Sequence, residues 1–373
     1  MSRRFIVPIT ALTACVALGT LVAAQQPRII NGQVTSRPSP SGLAQAFEAI
    51  VAAQSDVAWI GYAVPVKNRD RVMCCWQSGD SHISGSIRVG DAPCCGSCRI
   101  EPGPESTNRT TTGTSMAQGP IKLEGPERML VLFRITDRQV ERVRAFSEDC
   151  ELDAGGRPVH WLDSVQPAES VALLESLVSG TPERRSRITN GALSAIAQHG
   201  EATAGAALER LARTHSTPAV RGEALFWVGQ RGDANASSVI QTALEKDPAT
   251  DVRKRAVFAL AQLPNDAGVD PLIRIGRTHA DTAVRGEAIF WLGQKAGRKA
   301  AGAITEAIEK DPETEVKRRA VFALSQLPKS EGVPLLIDLA RKNSNPVVRK
   351  QAIFWLGQSK DPRAIEFFAE ILK

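Results

Sequence analysis

Six cysteines, Cys74, Cys75, Cys94, Cys95, Cys98 and Cys150, and five histidines are the residues of this 373-residue chain whose types could do chemistry. Four closely spaced thiolates could hold zinc, and Cys95-Gly-Ser-Cys98 has the spacing of a redox pair. A redox pair ordinarily opens a helix after a strand, and nothing around "CCGSC" reads that way. In an oxidising compartment an even set of cysteines reads instead as a disulfide framework, with 15 possible pairings for six. The six are therefore disulfide candidates, and no metal, cofactor or catalytic residue is assigned. Gly-x-Ser-x-Gly elbows, His-Glu-x-x-His pairs and phosphate loops are absent from the sequence.

The compartment follows from the first residues. Arg3 and Arg4 precede an apolar run from Phe5 to Val22, and Val22 and Ala24 stand at the −3 and −1 positions of a signal-peptidase site. Residues 1–24 read as a signal peptide cut after Ala24, which removes the seventh cysteine, Cys15, and lowers the net charge from +6 to +4. Localisation is then periplasmic or secreted, as a bacterial protein. The mild basic excess does not argue for nucleic acid in that setting, and no later segment is apolar enough to span a bilayer.

The mature chain divides into two unlike halves. Residues 25–41, polar and proline-rich, read as a flexible linker. Within 42–165, "GLAQAFEAIVAAQ" reads as a helix, and "VAWIGYAVPV" and "RMLVLFRIT" as strands. "DAGG" from Asp153 marks a turn. The stretch 103–120 has almost nothing to bury and reads as a disordered loop. This half is an α+β domain that holds every mature cysteine. An enzyme or thiol-redox or metal-binding protein with its chemistry there is the alternative reading of function.

From 166 to 373 the pattern is helical and repeated. "VRGEALFWVGQ" at Val220 returns as "VRGEAIFWLGQ" at Val284 and "VRKQAIFWLGQ" at Val348, 64 residues apart each time. A shift of 32 aligns Phe226, Phe258, Phe290, Phe322 and Phe354, and with them Gln230, Gln262, Gln294, Gln326 and Gln358. Leu208, Ile240, Leu272, Ile304, Leu336 and Phe368 form the apolar column of the preceding helices, with apolar partners three and four residues on. Pro218 and Pro346 follow the expected N-caps Thr217 and Asn345, and Thr250 and Thr314 are expected to cap the intervening copies. Each unit is two helices that must stack on its neighbours to bury their faces.

Val-Arg-x-x-Ala-x-x-x-Leu-Gly resembles the HEAT-like repeats named after phycobilisome lyases, over roughly residues 182–373. The resemblance implies about six 32-residue repeats, stacked as right-handed helix pairs into an all-α solenoid whose second helices line a concave surface. It also raises the di-iron hydroxylases built on such repeats, which hold iron through His-Glu pairs. None of the five histidines here is followed by Glu, so that activity is not implied. His215 and His279 recur in "RTH" near helix ends, where partial positive charge suits the helix dipole.

A helical wheel from Val220 places Ala224, Trp227 and Val228 on one buried face and Phe226, Glu223 and Gln230 on the other side. Trp227, Trp291 and Trp355 are thus expected in the core. The Phe and Gln columns are the partner-binding candidates, either as inter-repeat packing beside a Glu223–Arg255 and Glu287–Arg319 ladder or as an apolar stripe for a ligand. The expectation is a monomeric exported scaffold that binds a protein or peptide.

Overall fold

In the computed structural model, residues 27–39, 42–69, 71–72, 87–88, 98–101, 125–179, 184–295 and 297–372 are described. The expected signal peptide (1–24), the expected loop (103–120), and Cys74, Cys75, Cys94 and Cys95 lie outside them.

The first half carries β1 (Ile29–Ile30), β2 (Gln33–Pro38), α1 (Leu43–Ala53), β3 (Ala58–Pro65), β4 (Arg71–Val72), β5 (Ile87–Arg88), β6 (Cys98–Arg99), β7 (Arg128–Thr136), β8 (Gln139–Ser147), β9 (Leu152–Asp153) and β10 (Pro158–Asp163). The main sheet has the order β2-β10-β3-β7-β8. Strands β3, β7 and β8 pair antiparallel; β10 runs parallel to β3, and β2 parallel to β10. Both faces of the middle strands are buried, so they read as continuous apolar runs. Ile60, Tyr62 and Val64 share one core with α1, whereas Trp59 and Ala63 share a second with Leu152, Ala154 and Cys150. Gly61 is required between them, because a Cβ there would stand 2.6 Å from Leu132 and 2.8 Å from Trp161.

The expected linker is corrected in part. Residues 33–38 form β2, hydrogen-bonded along its whole length to β10. All six of its side chains are exposed, so no hydrophobic alternation betrays the strand; backbone pairing alone makes it.

The second half is a stack of helix pairs: α2 (Pro167–Ser176) with α3 (Arg184–Gln198), α4 (Thr203–Thr214) with α5 (Pro218–Arg231), α6 (Ala236–Lys246) with α7 (Thr250–Ala261), α8 (Val269–Thr278) with α9 (Thr282–Lys295), α10 (Gly297–Lys310) with α11 (Thr314–Ser325), and α12 (Lys329–Lys342) with α13 (Pro346–Ser359). The helix α14 (Pro362–Ile371) follows. Asn345 caps α13 as expected, its side chain accepting the Val347 N–H at 2.9 Å. Thr250 and Thr314 do not cap: each is the first helical residue of α7 or α11, behind Ala249 or Glu313. Asp247 Oδ1 instead accepts the N–H of the N-cap residue Ala249, and Asp311 Oδ1 that of Glu313, both at 2.9 Å, which fixes the turn into each helix.

One apolar core runs without a break from the sheet through α3 into the helices. The junction is also hydrogen-bonded. Lys67 N donates to Gln198 O at 2.8 Å, and Gly200 N to Pro65 O at 2.7 Å. Lys67 Nζ pairs with Asp233, which Arg231 also holds at 2.6 Å. The Arg231 guanidinium reaches on to His199 O at 2.7 Å. Beneath it, the buried His199 ring accepts the Glu201 N–H at Nδ1, 3.1 Å away. That leaves the proton of the neutral ring on Nε2, 3.1 Å from Ser170 Oγ, which donates to the Tyr62 hydroxyl at 3.0 Å. Burial lowers the His199 pKa to about 4, against the pull of Glu201 and with a further push from Arg231.

Candidate partner-binding surface

The second helices α5, α7, α9, α11 and α13 stack directly on one another and carry the repeated phrase. Val220, Ala224, Leu225 and Val228 of α5 are buried, as are Val284, Ala288, Ile289 and Leu292 of α9. Trp227, Trp291 and Trp355 are only partly buried and pack against the core from its edge. The expected tryptophan core is therefore corrected. The wheel places the ring at the margin of the buried arc, and the smaller Leu225 and Ile289 fill the interior instead.

Phenylalanines and tryptophans together make one run of rings. Phe226 lies flat on Phe258, with centroids 5.4 Å apart and planes 4° from parallel. Phe258 touches Trp291 at 4.6 Å, which meets Phe290 edge-on at 5.0 Å. Phe290 stacks on Phe322 at 5.8 Å, Phe322 touches Trp355 at 4.9 Å, and Trp355 meets Phe354 at 4.9 Å. Trp227 begins the run against Phe226 at 4.9 Å. These spacings are those of favourable aromatic pairs. The sequence columns had separated Phe from Trp; the structure joins them, because Trp291 and Trp355 each reach the Phe of the unit before. The signal was the alternation of Trp227, Trp291 and Trp355 with Ala259 and Ala323, which gives the 64-residue period its reason: large and small residues alternate along the stack.

Polar pairs flank the run. Glu223 meets Arg255 at 3.1 Å and Glu287 meets Arg319 at 3.7 Å. Glu287 also accepts the Trp291 indole N–H at 2.8 Å. Of the glutamine column, Gln230 reaches Gln262 at 3.4 Å. Gln294, Gln326 and Gln358 are exposed, and Gln326 bonds only its neighbour Ser325. The column is thus a hydrogen-bonded link in one place and a row of open amides in the rest.

A basic column near the helix starts is structural. Arg221 grips Asp247 with two bonds of 2.7 and 2.9 Å, and Arg285 grips Asp311 with 2.8 and 3.1 Å. Arg253 holds Asp281 at 2.7 Å, a partner that sequence reading missed. Each also donates to the carbonyls that end the preceding helix, such as His215 O and His279 O at 2.9 Å. Burial pushes the Asp247 carboxyl up, but the bonds from Arg221 and the Ala249 N–H hold it below the usual carboxylate range. His215 and His279 stand at these same helix ends, where each Nδ1 accepts a backbone N–H, from Thr217 at 3.1 Å and from Asp281 at 3.0 Å. Their role is to close the turn as hydrogen-bond acceptors, not to place positive charge on the helix dipole.

In the sheet half, Cys150 is buried against Trp59, Phe146 and Trp161 and is disulfide-bonded. Cys98 lies on β6. Charges in this half form a network: Glu101 accepts from Trp59 Nε1 at 2.6 Å and from Arg134 Nε and a terminal nitrogen at 3.0 Å, while Arg134 also pairs with Glu141. Among the described residues, no three histidines, cysteines or carboxylates gather as they would around a metal ion.

Residues 206–293 and 301–373 match the family model of HEAT repeats, so residues 206–373 carry HEAT repeats. Several solved structures are similar to part of the chain. YibA of Escherichia coli is 21% identical, with 55% of this chain and 76% of that one covered at a TM-score of 0.34. The complex of CpcE and CpcF of phycocyanin lyase from Nostoc sp. PCC7120 is 21% identical over 55% and 81%, at 0.31. Human deoxyhypusine hydroxylase is 18% identical over 55% and 89%, at 0.24. No curated protein matches the chain.

Proposed function

We propose that this array of HEAT repeats is an exported scaffold that binds a polypeptide partner along the aromatic run of its second helices. The observation that carries the reading is the run itself: eight rings in continuous contact across five successive helices, none of them fully buried. Large aromatics with exposed edges are the side chains that anchor protein partners at low entropic cost. The amides of Gln294, Gln326 and Gln358 stand beside them, each with donors and an acceptor suited to a peptide backbone. Second helices pack on one another more closely than first helices do, which supports a stack curved toward the run.

Export rests on residues 1–24, and among the described residues no helix is long and apolar enough to cross a membrane. An intact mass beginning at Gln25 checks the processing; a chain that keeps residues 1–24, or one lipidated at Cys15, overturns it.

The binding reading is tested by a photo-crosslinking residue placed at Gln294 and, separately, at Arg274, exposed on the first helix α8. Crosslinking in the exported fraction should join a polypeptide to position 294 and not to 274. Equal yields at both, or none at 294, remove the aromatic run from the account of function.

A further inference from the structure

Among the described residues, the apolar faces of α13 and α14 are uncovered. In every earlier unit a second helix covers the one before it. A Cβ on Gly229 of α5 would stand 2.7 Å from Ala259 of α7, and one on Gly293 of α9 2.8 Å from Ala323 of α11. Gly357 of α13 is the same position, and there a Cβ meets nothing within 4 Å. Ile353 is 38% exposed, although its counterparts Leu225 and Ile289 are at 0% and 1%. Phe354 is 52% exposed, without the stacked ring that Phe226 and Phe290 have.

Helix α14 shows the same deficit from the other side. Ile365 is 66% exposed where Val269 and Val333 are at 5% and 3%. Ile371 and Leu372 are exposed where Leu339 and Ile308 are buried. The covering group in an earlier unit is visible at Gly276, whose Cβ would stand 2.8 Å from Ile289 of its own second helix. Among the described residues, α14 has no second helix beside it. The result is an uncovered apolar groove along α13 and α14, lined by Ile353, Phe354, Gly357, Ile365, Ile371 and Leu372.

We propose that this groove receives one amphipathic helix of a partner polypeptide, with the chemistry of the chain's own α7 and α11. Continuity with the internal interfaces specifies that helix. An aromatic lies over Phe354, as Phe258 lies over Phe226, and the next residue is small, as Ala259 is against Gly229. A carboxylate stands eleven residues before the aromatic, the separation of Asp247 from Phe258 and of Asp311 from Phe322. Charge agrees. Arg221 and Arg285 are each held by such an aspartate, whereas Arg349 bonds the carbonyls of Asn343 and Ser344, at 2.7 and 3.0 Å. Trp355 Nε1 is buried without a hydrogen-bond partner, because Gln351 stands where Glu287 serves Trp291. A second copy of this chain cannot supply α7 or α11, since both lie inside their stack. The surface is a helix-in-groove site at the end of the array, where the aromatic run ends at Phe354.

The probe is the capped peptide of residues 311–327, Asp311 to Leu327, added to the full chain and followed by Trp355 fluorescence and by anisotropy of a label on the peptide. Saturable binding is expected, weakened at least about tenfold (~1.4 kcal/mol) by Gly357→Leu in the chain, by Ala323→Leu in the peptide, and by Asp311→Asn at low salt. Leucine at 357 meets open space, so the variant should keep its melting temperature. No saturable binding with peptide at ~1 mM, the weak end for a helix that folds as it docks, overturns the proposal. So does binding indifferent to both leucine substitutions. Dimers in sedimentation that Gly357→Leu dissociates would hand the groove to a second copy and equally overturn the assignment.

Discussion

The rings of Phe290 and Phe322 stack 5.8 Å apart and 6° from parallel, one helix of the array reading the next through its aromatic face. Each ring is therefore both packing and surface. Stability and binding are coupled at this column, and substitutions must be chosen with that in view.

Phe290→Ala and Trp291→Ala should cost similar amounts, roughly 2–3 kcal/mol each, because both rings are partly buried and each keeps two ring contacts. Phe354→Ala, with one ring contact and more than half its surface in water, should cost ~1 kcal/mol or less. Denaturant melts compare the three. A tryptophan several times costlier than its neighbouring phenylalanine would restore the tryptophan core.

Acid should loosen the junction before it reaches the carboxylates. The His199 pKa is about 4 in the folded chain and ~6.5 when unfolded. Between those values the unfolded state binds the extra proton, so stability rises with pH: present in full above 6.5, and lost as pH falls toward 4. The shift corresponds to roughly 3 kcal/mol. His160, held below its ordinary pKa by burial and then by Arg37, adds to the slope in the same direction. Melts of His199→Gln between pH 7.5 and 4.5 should show most of the slope removed; a slope equal to that of the parent protein contradicts this.

The Arg285–Asp311 pair is nearly buried on both sides. Arg285→Met leaves a carboxylate without its partner and should cost about 3–5 kcal/mol. Adding Asp311→Asn should recover most of that loss, since the backbone cap at Glu313 survives. Arg349→Met breaks only bonds to carbonyls and should cost about 1 kcal/mol. Costs that match across the two arginines would mean that the ion pair adds nothing.

If residues 1–24 are removed on export and the six remaining cysteines are paired, the processed protein denatured without reductant should show no thiol to a labelling reagent. Reduction should destabilise the sheet half around Cys150 and leave most of the helical circular-dichroism signal, because no cysteine lies beyond residue 150. Two free thiols at Cys95 and Cys98, or bound zinc, would replace the disulfide framework with the alternative chemistry.

The sequence by itself determined the repeat, the order of the helices and the division into an α+β half and a solenoid. Periodicity reports how residues are arranged around one helix, and the columns at a spacing of 32 report that the helices are equivalent. It could not say how far a ring stands from the next helix. That distance put Leu225 inside, Trp227 at the edge, and Phe258 against Trp291. Strand β2 was illegible because only its backbone is engaged, and Asp281 because its partner Arg253 lies 28 residues away. The change of pattern near residue 166 is real in the sequence, yet the core continues across it, since α3 closes the sheet as well as opening the stack. Most of all, α13 repeats the interior phrase without change of character. Only the tertiary structure decided that its face is open, because burial belongs to a pair of surfaces and a sequence writes one of them.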